Sequence, residues 1–233
     1  MSFRKTIERS NFLHRLWHWE YWPMEVFLFP VVGMWIYFMI RARALGFFTA
    51  ANPVIKTGGM FGESKVNILR RVPPSLVPKT LYMAAEEISW TRMKEWMEAE
   101  GMNFPLIGKP DIGERGFMVR KLKNEAEARE YLEEAQGDIL IQEFVDLPLE
   151  LSVLYYRFPG ERQGYISSVT LKEPLTVTGD GQSSIAELVE AYPRARLQWK
   201  RLRKRWADRS AEVPAPGEVI ELDPIGNHCR GST

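Results

Sequence analysis

The spacing of hydrophobic positions changes repeatedly along this chain, and each change predicts a different element. Val26 to Ile40 (VFLFPVVGMWIYFMI) contains no charged residue, and extending the run back to Tyr21 adds only Glu25. A membrane-spanning helix needs about 20 apolar residues. Trp17, Trp19, Tyr21, Trp22, Trp35 and Tyr37 crowd the segment with rings suited to a membrane interface. Pro30 and Gly33 are expected to break or kink it. Pro73, Pro74 and Pro78 then mark a boundary, after which Thr80 to Gly101 reads as an amphipathic helix. Phe104 to Ile107 is an apolar run of strand length. Asn124 to Gln136 (NEAEAREYLEEAQ) reads as a helix with an Asn cap, an acidic first turn and Gly137 as its stop. Asp138 to Val145 alternates as a strand, and Leu151 to Arg157 reads as another. This order predicts an α+β chain with an N-terminal apolar helical segment (1–50), a glycine- and proline-bearing linker or cleft region (51–79) and a main domain (80–233).

Candidate chemistry concentrates in residues 104–150. The strand-like FPLIGKP delivers Lys109 to a point where Pro110 stops the ladder. A compact ammonium there suits phosphate oxygens as a point charge. In the following turn, Gly113, Glu114, Arg115 and Gly116 stand where the two glycines permit positive φ and let backbone N–H groups converge on an anion. The next predicted strand ends in Gln142, Glu143, Phe144 and Val145, and Glu150 follows after Pro148. Two carboxylates so spaced can offer one acceptor to a base and another to ribose hydroxyls. Together these residues read as a nucleotide pocket, against the plainer reading of a hairpin glycine turn and two solvated strand carboxylates.

The ordered set of Lys-Pro, glycine loop, helix, Gln-Glu-Phe-Val and a later Glu resembles the ATP-grasp superfamily, and within it the D-alanine:D-alanine ligases and the ligase half of cyanophycin synthetases. VTGDGQSSIAEL (177–188) and IGNHCRG (225–231) are similar to segments of the cyanophycin-synthetase branch. The resemblance covers about residues 73 to 233. It implies an ATP-grasp fold, two α+β subdomains sandwiching the nucleotide. Lys109 would contact ATP phosphates under the cover of Gly113 to Gly116, Glu143 with the backbone of Phe144 and Val145 would hold adenine, and Glu150 the ribose. It further implies an ATP-dependent carboxylate–amine ligase that forms an acyl phosphate from a small carboxylate and passes it to an amine. Such enzymes use magnesium, and their metal carboxylates are expected beyond Thr233, so the chain reads as an incomplete ligase with no metal ligand and no catalytic residue assigned within it. Asp180 is better explained as a turn residue, while Glu221 and Asp223, at strand spacing, share one side. A non-catalytic, membrane-associated nucleotide-binding or scaffold module is the rival reading.

Two further segments add partners. An ATP-using domain is expected on the cytoplasmic side, so a single span would leave Arg4, Lys5, Arg9 and Arg15 outside, against the positive-inside tendency. A re-entrant or interfacial helix over residues 21–40 avoids this, and a packed hairpin is the alternative. Arg41 and Arg43 follow the run without a small-residue cleavage pattern, which argues against a signal peptide. Arg194 to Arg209 (RARLQWKRLRKRWADR) has helical spacing, with Trp199, Leu202 and Trp206 on one face. It is read first as a solvated helix docked by its tryptophans and next as a contact for anionic lipid, consistent with a peripheral or monotopic position on the inner face of a membrane. Attraction of an acidic substrate and stacking of nucleic-acid bases on the tryptophans are the remaining readings. Gly58, Gly59, Gly62 and Lys65 miss the P-loop spacing and lack a delivering strand. Their segment suits a helix cap at Lys65 or a cleft loop. With 31 Lys and Arg against 30 Asp and Glu, the net charge of +1 argues against a general polyanion binder, and nucleic acid is not the expected partner. One cysteine, Cys229, forms no internal disulfide and fits a reducing compartment, and His14, His18 and His228 lack the company of zinc ligands.

Overall fold

The computed structural model describes residues 10–114 and 116–223, so Arg115, the IGNHCRG segment with His228 and Cys229, and Arg4, Lys5 and Arg9 lie outside the described residues. The chain divides into two compact units, Met1–Glu63 with Thr178–Glu218, and Ser64–Val177 with Val219–Thr233.

In the first unit, α1 (Asn11–Trp17) starts at Ser10, whose hydroxyl accepts from the Leu13 N–H. The apolar run forms α2 (Met24–Ala42), and no break occurs at Pro30 or Gly33. A single proline removes one backbone donor from a ladder that the remaining residues keep. The helix ends where Arg43 takes a left-handed φ of 53°. Phe47 and Phe48 turn back and pack on Trp35, with ring centroids 6.2 and 5.1 Å away. Elsewhere α2 is exposed, with Val26, Phe29, Met34 and Ile40 each at least 55% accessible. Among the described residues no helix is long and apolar enough to cross a membrane. In the same unit, α6 (Ile185–Ala191) opens with a reciprocal cap between Ser184 and Glu187, and α7 (Pro193–Arg205) follows with proline in its first turn. Leu202 and Trp206 are buried as the basic-helix pattern requires.

The second unit is built around a four-stranded antiparallel sheet of order β1-β4-β2-β3. Its strands are β1 (Thr80–Met83), β2 (Leu106–Pro110), β3 (Arg120–Leu122) and β4 (Ile139–Glu143). Among the described residues the α-helices of this unit are α3 (Lys65–Leu69), α4 (Trp90–Glu100) and α5 (Glu125–Glu134). The helix expected from Thr80 is therefore a strand at its start. Thr80 to Met83 pair with Gln142 to Ile139, and the helix begins only at the Ser89 cap, whose hydroxyl accepts from Arg92 N–H. A four-residue run can serve either period, and pairing with a buried central strand decides it. Asn124 caps α5 through Glu127 N–H as the pattern predicts. A ribbon of β5 (Glu150–Tyr156) and β6 (Tyr165–Lys172), and a pair formed by β7 (Leu175–Thr178) and β8 (Val219–Asp223), complete the unit.

The alternation of the strands sorts the sheet into two faces. Met83, Leu106, Leu122, Ile139 and Ile141 point one way and bury themselves with Met93, Ala128, Tyr131 and Leu132 of α4 and α5. Each large side chain buried there contributes roughly 1.5–3 kcal/mol. The cross-strand partners Ile107 with Gln142, Ile107 with Lys121, Lys109 with Leu140 and Thr80 with Gln142 point the other way. That second face carries the polar side chains.

Candidate nucleotide site

On the polar face the Lys109 ammonium donates to Gln142 Oε1 at 2.7 Å, and the Gln142 amide donates onward to Thr80 Oγ1 at 2.8 Å. Gln142 is buried, so this short chain fixes the amide and holds Lys109 above the middle of the sheet. Burial, and secondarily the charge of Lys65, lower the pKa of Lys109 below the ordinary lysine value.

Lys65 arrives from a different element. Ser64 caps α3 by accepting from Asn67 N–H. Lys65 Nζ then donates to the carbonyls of Asp111 and Gly113 at 3.1 and 2.9 Å. Asp111 is buried and ties the two elements together: its carboxylate accepts from Val66 N–H at 2.8 Å, and its own N–H donates to Asp138 O at 2.8 Å. The loop after β2 is thus anchored at Asp111, continues through a turn in which Phe117 N–H donates to Glu114 O, and carries Gly116 at φ 71°. Its tip leaves Ile112 and Phe117 exposed. The P-loop spacing is absent, yet Lys65 joins Lys109 from the segment that the failed motif had drawn attention to. The usable signal was a lysine in the first turn of a capped helix rather than a glycine count.

At the other end of the same face a cleft of about 490 Å³ is lined by Lys121, Phe144, Val145, Glu150, Lys172 and Glu221, among others. That volume lies within the range of small-molecule sites. Lys121 Nζ sits 3.5 Å above the centre of the Phe144 ring, a cation–π contact. Register places Glu150 opposite Lys172, and their side chains pair at 2.6 Å. Ile107, the partner of Lys121, lies two residues from Lys109 on β2, about 7 Å along the strand. Cleft, Lys109 and glycine loop therefore follow one another along one sheet face.

Of the residues singled out from sequence, Lys109 meets Gln142, Gly113 lends its carbonyl to Lys65, Glu114 and Gly116 lie in the turn that follows, and Phe144, Val145 and Glu150 line the cleft. Glu143 is placed apart from the cleft lining: its carboxylate accepts from Lys79 N–H at 3.2 Å, and its own N–H donates to Lys79 O at 2.9 Å. Lys121 was missed, and Lys65 was read only as part of a helix cap or cleft loop. Lys121 lies in a three-residue strand too short to show alternation in sequence. Asp180 accepts from Gln182 N–H, Ser183 N–H and Ser183 Oγ, which pulls its pKa down to about 2 and accounts for it as a turn residue. Glu221 opens on the cleft while Asp223 is buried. Among the described residues no group of three or more His, Cys, Asp and Glu could hold a metal ion.

No protein-family model matches the chain, and no curated protein matches it. Among solved structures it is similar to a D-alanine–D-alanine ligase from Helicobacter pylori, at 13% identity and a TM-score of 0.36, over 71% of this chain and 55% of that one. A D-alanine–D-alanine ligase from Bacillus anthracis matches at 15% identity and a TM-score of 0.28, over 46% of this chain and 39% of that one. A bifunctional glutathione synthetase from Pasteurella multocida matches at 16% identity and a TM-score of 0.28, over 67% of this chain and 22% of that one. The chain thus spans less than two thirds of each of these proteins. Likeness at this level assigns no activity, and the reading below rests on the residues themselves.

Proposed function

We propose that the chain binds ATP across the polar face of its four-stranded sheet, as an ATP-grasp domain, and acts within an ATP-dependent carboxylate–amine ligase. The observation that carries this is Lys65, from α3, bonded to the carbonyls of the glycine-bearing loop that follows Lys109 on β2, with a cleft of mixed polar and apolar lining farther along the same face. Two ammonium groups and backbone N–H donors suit a polyphosphate. The cleft with Phe144 and Val145 suits a base, and Glu150, after giving up Lys172, suits ribose hydroxyls.

Phosphoryl transfer depends on positioning and charge neutralisation. In the ligase reaction a substrate carboxylate oxygen bonds to the γ-phosphorus as the bond to ADP breaks. An amine then attacks the acyl carbon, inorganic phosphate leaves, and the amine loses a proton. Lys65 and Lys109 supply part of the neutralisation, and magnesium, when bound with the nucleotide, supplies further Lewis acidity.

Calorimetry of magnesium–ATP binding to the full chain tests the site. Hydrogen bonds to charged groups are worth about 1.5–3 kcal/mol, so Lys65→Ala and Lys109→Ala should each weaken binding by about 10- to 150-fold. Unchanged affinity in both variants would remove the site assignment. Sustained ADP production that requires both a carboxylate and an amine supports the ligase, whereas tight binding without turnover supports the non-catalytic alternative.

A further inference from the structure

The helix α2 carries large apolar side chains around its whole circumference. Successive residues advance by 100°, so Leu28, Val31, Val32, Met34, Ile36 and Ile40 fall on all sides, and each is at least 37% exposed. A partner docked on one face would cover a stripe and leave the rest in water. A helix apolar all round is satisfied by surroundings that are apolar on every side. The segment leading into it exposes Trp17, Trp19 and Trp22, and Arg41 and Arg43 close its far end. Those are the residue types that settle at a lipid headgroup boundary.

The same unit holds a matching charge. Arg196 of α7 donates to Asn11 Oδ1 at 2.7 Å, and the Arg194 guanidinium lies 6.0 Å from the Tyr21 ring centre, so the basic helix is docked on the segment that feeds α2. Beyond that dock, Lys200, Arg203 and Lys204 stand exposed on a helix that contains no acidic residue. Phe47 and Phe48 return onto Trp35 just past Arg41 and Arg43, so the basic pair and the aromatic turn share one end of α2, and both meet the headgroup boundary when the helix lies in the plane of the interface.

We infer that α2 and its returning Phe47–Phe48 turn insert into one leaflet of an anionic bilayer without crossing it, while α7 rests on the headgroups. The occupant of the exposed face is lipid, chosen by apolarity on every side together with cationic flanks. This is independent of whether the second unit binds nucleotide.

Flotation of the full chain with vesicles tests it, using phosphatidylcholine alone and phosphatidylcholine containing phosphatidylserine at three parts in ten. The wild type should float with the anionic vesicles and much less with the neutral ones, and added salt should weaken the difference. Val32→Asp with Ile36→Asp changes exposed positions only and should lower partitioning at least 100-fold, with the circular dichroism spectrum otherwise retained. Lys200→Gln, Arg203→Gln and Lys204→Gln should each lower anionic-vesicle binding about fivefold. Trypsin added outside should cut on both flanks of α2, at Arg15 and at Lys56. Protection of one flank would mean that the helix crosses and would overturn the single-leaflet geometry. Failure to float, with self-association abolished by the aspartate pair, would show the face to be a protein interface and overturn the proposal. Equal binding to both vesicle types would overturn the role given to α7.

Discussion

Gly108, on the core side of β2 next to Lys109, leaves room for the ring of Tyr131. A Cβ added there would meet Tyr131 Cε1 at 2.6 Å and Cδ1 and Cζ at 2.8 Å. Tyr131 is 1% exposed and packed within the main core cluster, so its ring has nowhere to retreat. Forcing a methyl into such a core costs about 1–3 kcal/mol. Gly108 does not occupy a positive φ, so alanine fits the backbone and recovers about 0.5 kcal/mol by restricting the unfolded chain. The expected net effect of Gly108→Ala is a loss of roughly 1.5 kcal/mol. Tyr131→Leu alone should cost about 2–4 kcal/mol through the cavity it leaves. In the double variant the new methyl enters that space, so the combined loss should fall short of the sum by about 1 kcal/mol. Urea unfolding followed by circular dichroism measures all four proteins at unchanged slope. Gly108→Ala as stable as the parent, or strict additivity in the cycle, would refute the close-approach argument. A strand displaced at Gly108 should also misplace Lys109, so ATP affinity should fall in the single variant and recover in the double.

The lowered pKa of Lys109 gives ATP binding a pH dependence of definite sign. Bound phosphate raises that pKa again, so affinity stays level while the lysine is charged in both states and falls as pH rises through its depressed free-protein value toward 10.5. Binding in that window takes up a proton, measured as a dependence of the calorimetric heat on buffer ionisation; Lys109→Met should abolish it. Asp180, with its pKa held at about 2 by Ser183 and Gln182, contributes stability that is fully present above its ordinary value of 3.8 and is lost as pH falls through about 2. The stability difference between wild type and Asp180→Asn should therefore shrink on acidification across that range, and a pH-independent difference would show that the carboxylate charge plays no part in the turn.

Much of the second unit was legible because its signals are local. The Asn124 cap, the strand identity of β4 and the Lys109-Pro110 strand end each follow from neighbours in sequence, although β4 is buried on both faces rather than alternating. The Thr80 segment was misread because four residues cannot reveal a period, and its strand identity comes from pairing with β4. The sequence offered Lys65 only as part of a cap or cleft loop for a related reason: its placement depends on Asp111, distant in sequence, accepting from Val66 N–H and on two loop carbonyls meeting its ammonium. Glu143 shows the converse. Its place at the end of β4 was readable, but the direction of its carboxylate toward Lys79 is set by the chain that precedes β1.

Asp111 distinguishes whether the two lysines are held by geometry or merely gathered by charge. Its carboxylate accepts from Val66 N–H near the start of α3, and its carbonyl accepts from both the Lys65 N–H and Lys65 Nζ, so one residue sets where the helix and its lysine begin. Asp111→Asn keeps an oxygen acceptor for Val66 N–H and removes the negative charge. Asp111→Ala removes both, and an unpaired buried N–H costs about 1–3 kcal/mol. Each variant deletes one negative charge at the start of α3, which by itself favours an incoming polyphosphate. If position governs the site, the asparagine variant should bind ATP at least as tightly as the wild type while the alanine variant binds more weakly and unfolds at lower urea. If charge alone gathers the lysines, both variants should gain affinity together. Equal gains in the two proteins would mean that the bond from Val66 N–H to Asp111 is a helix cap with no bearing on the placement of Lys65.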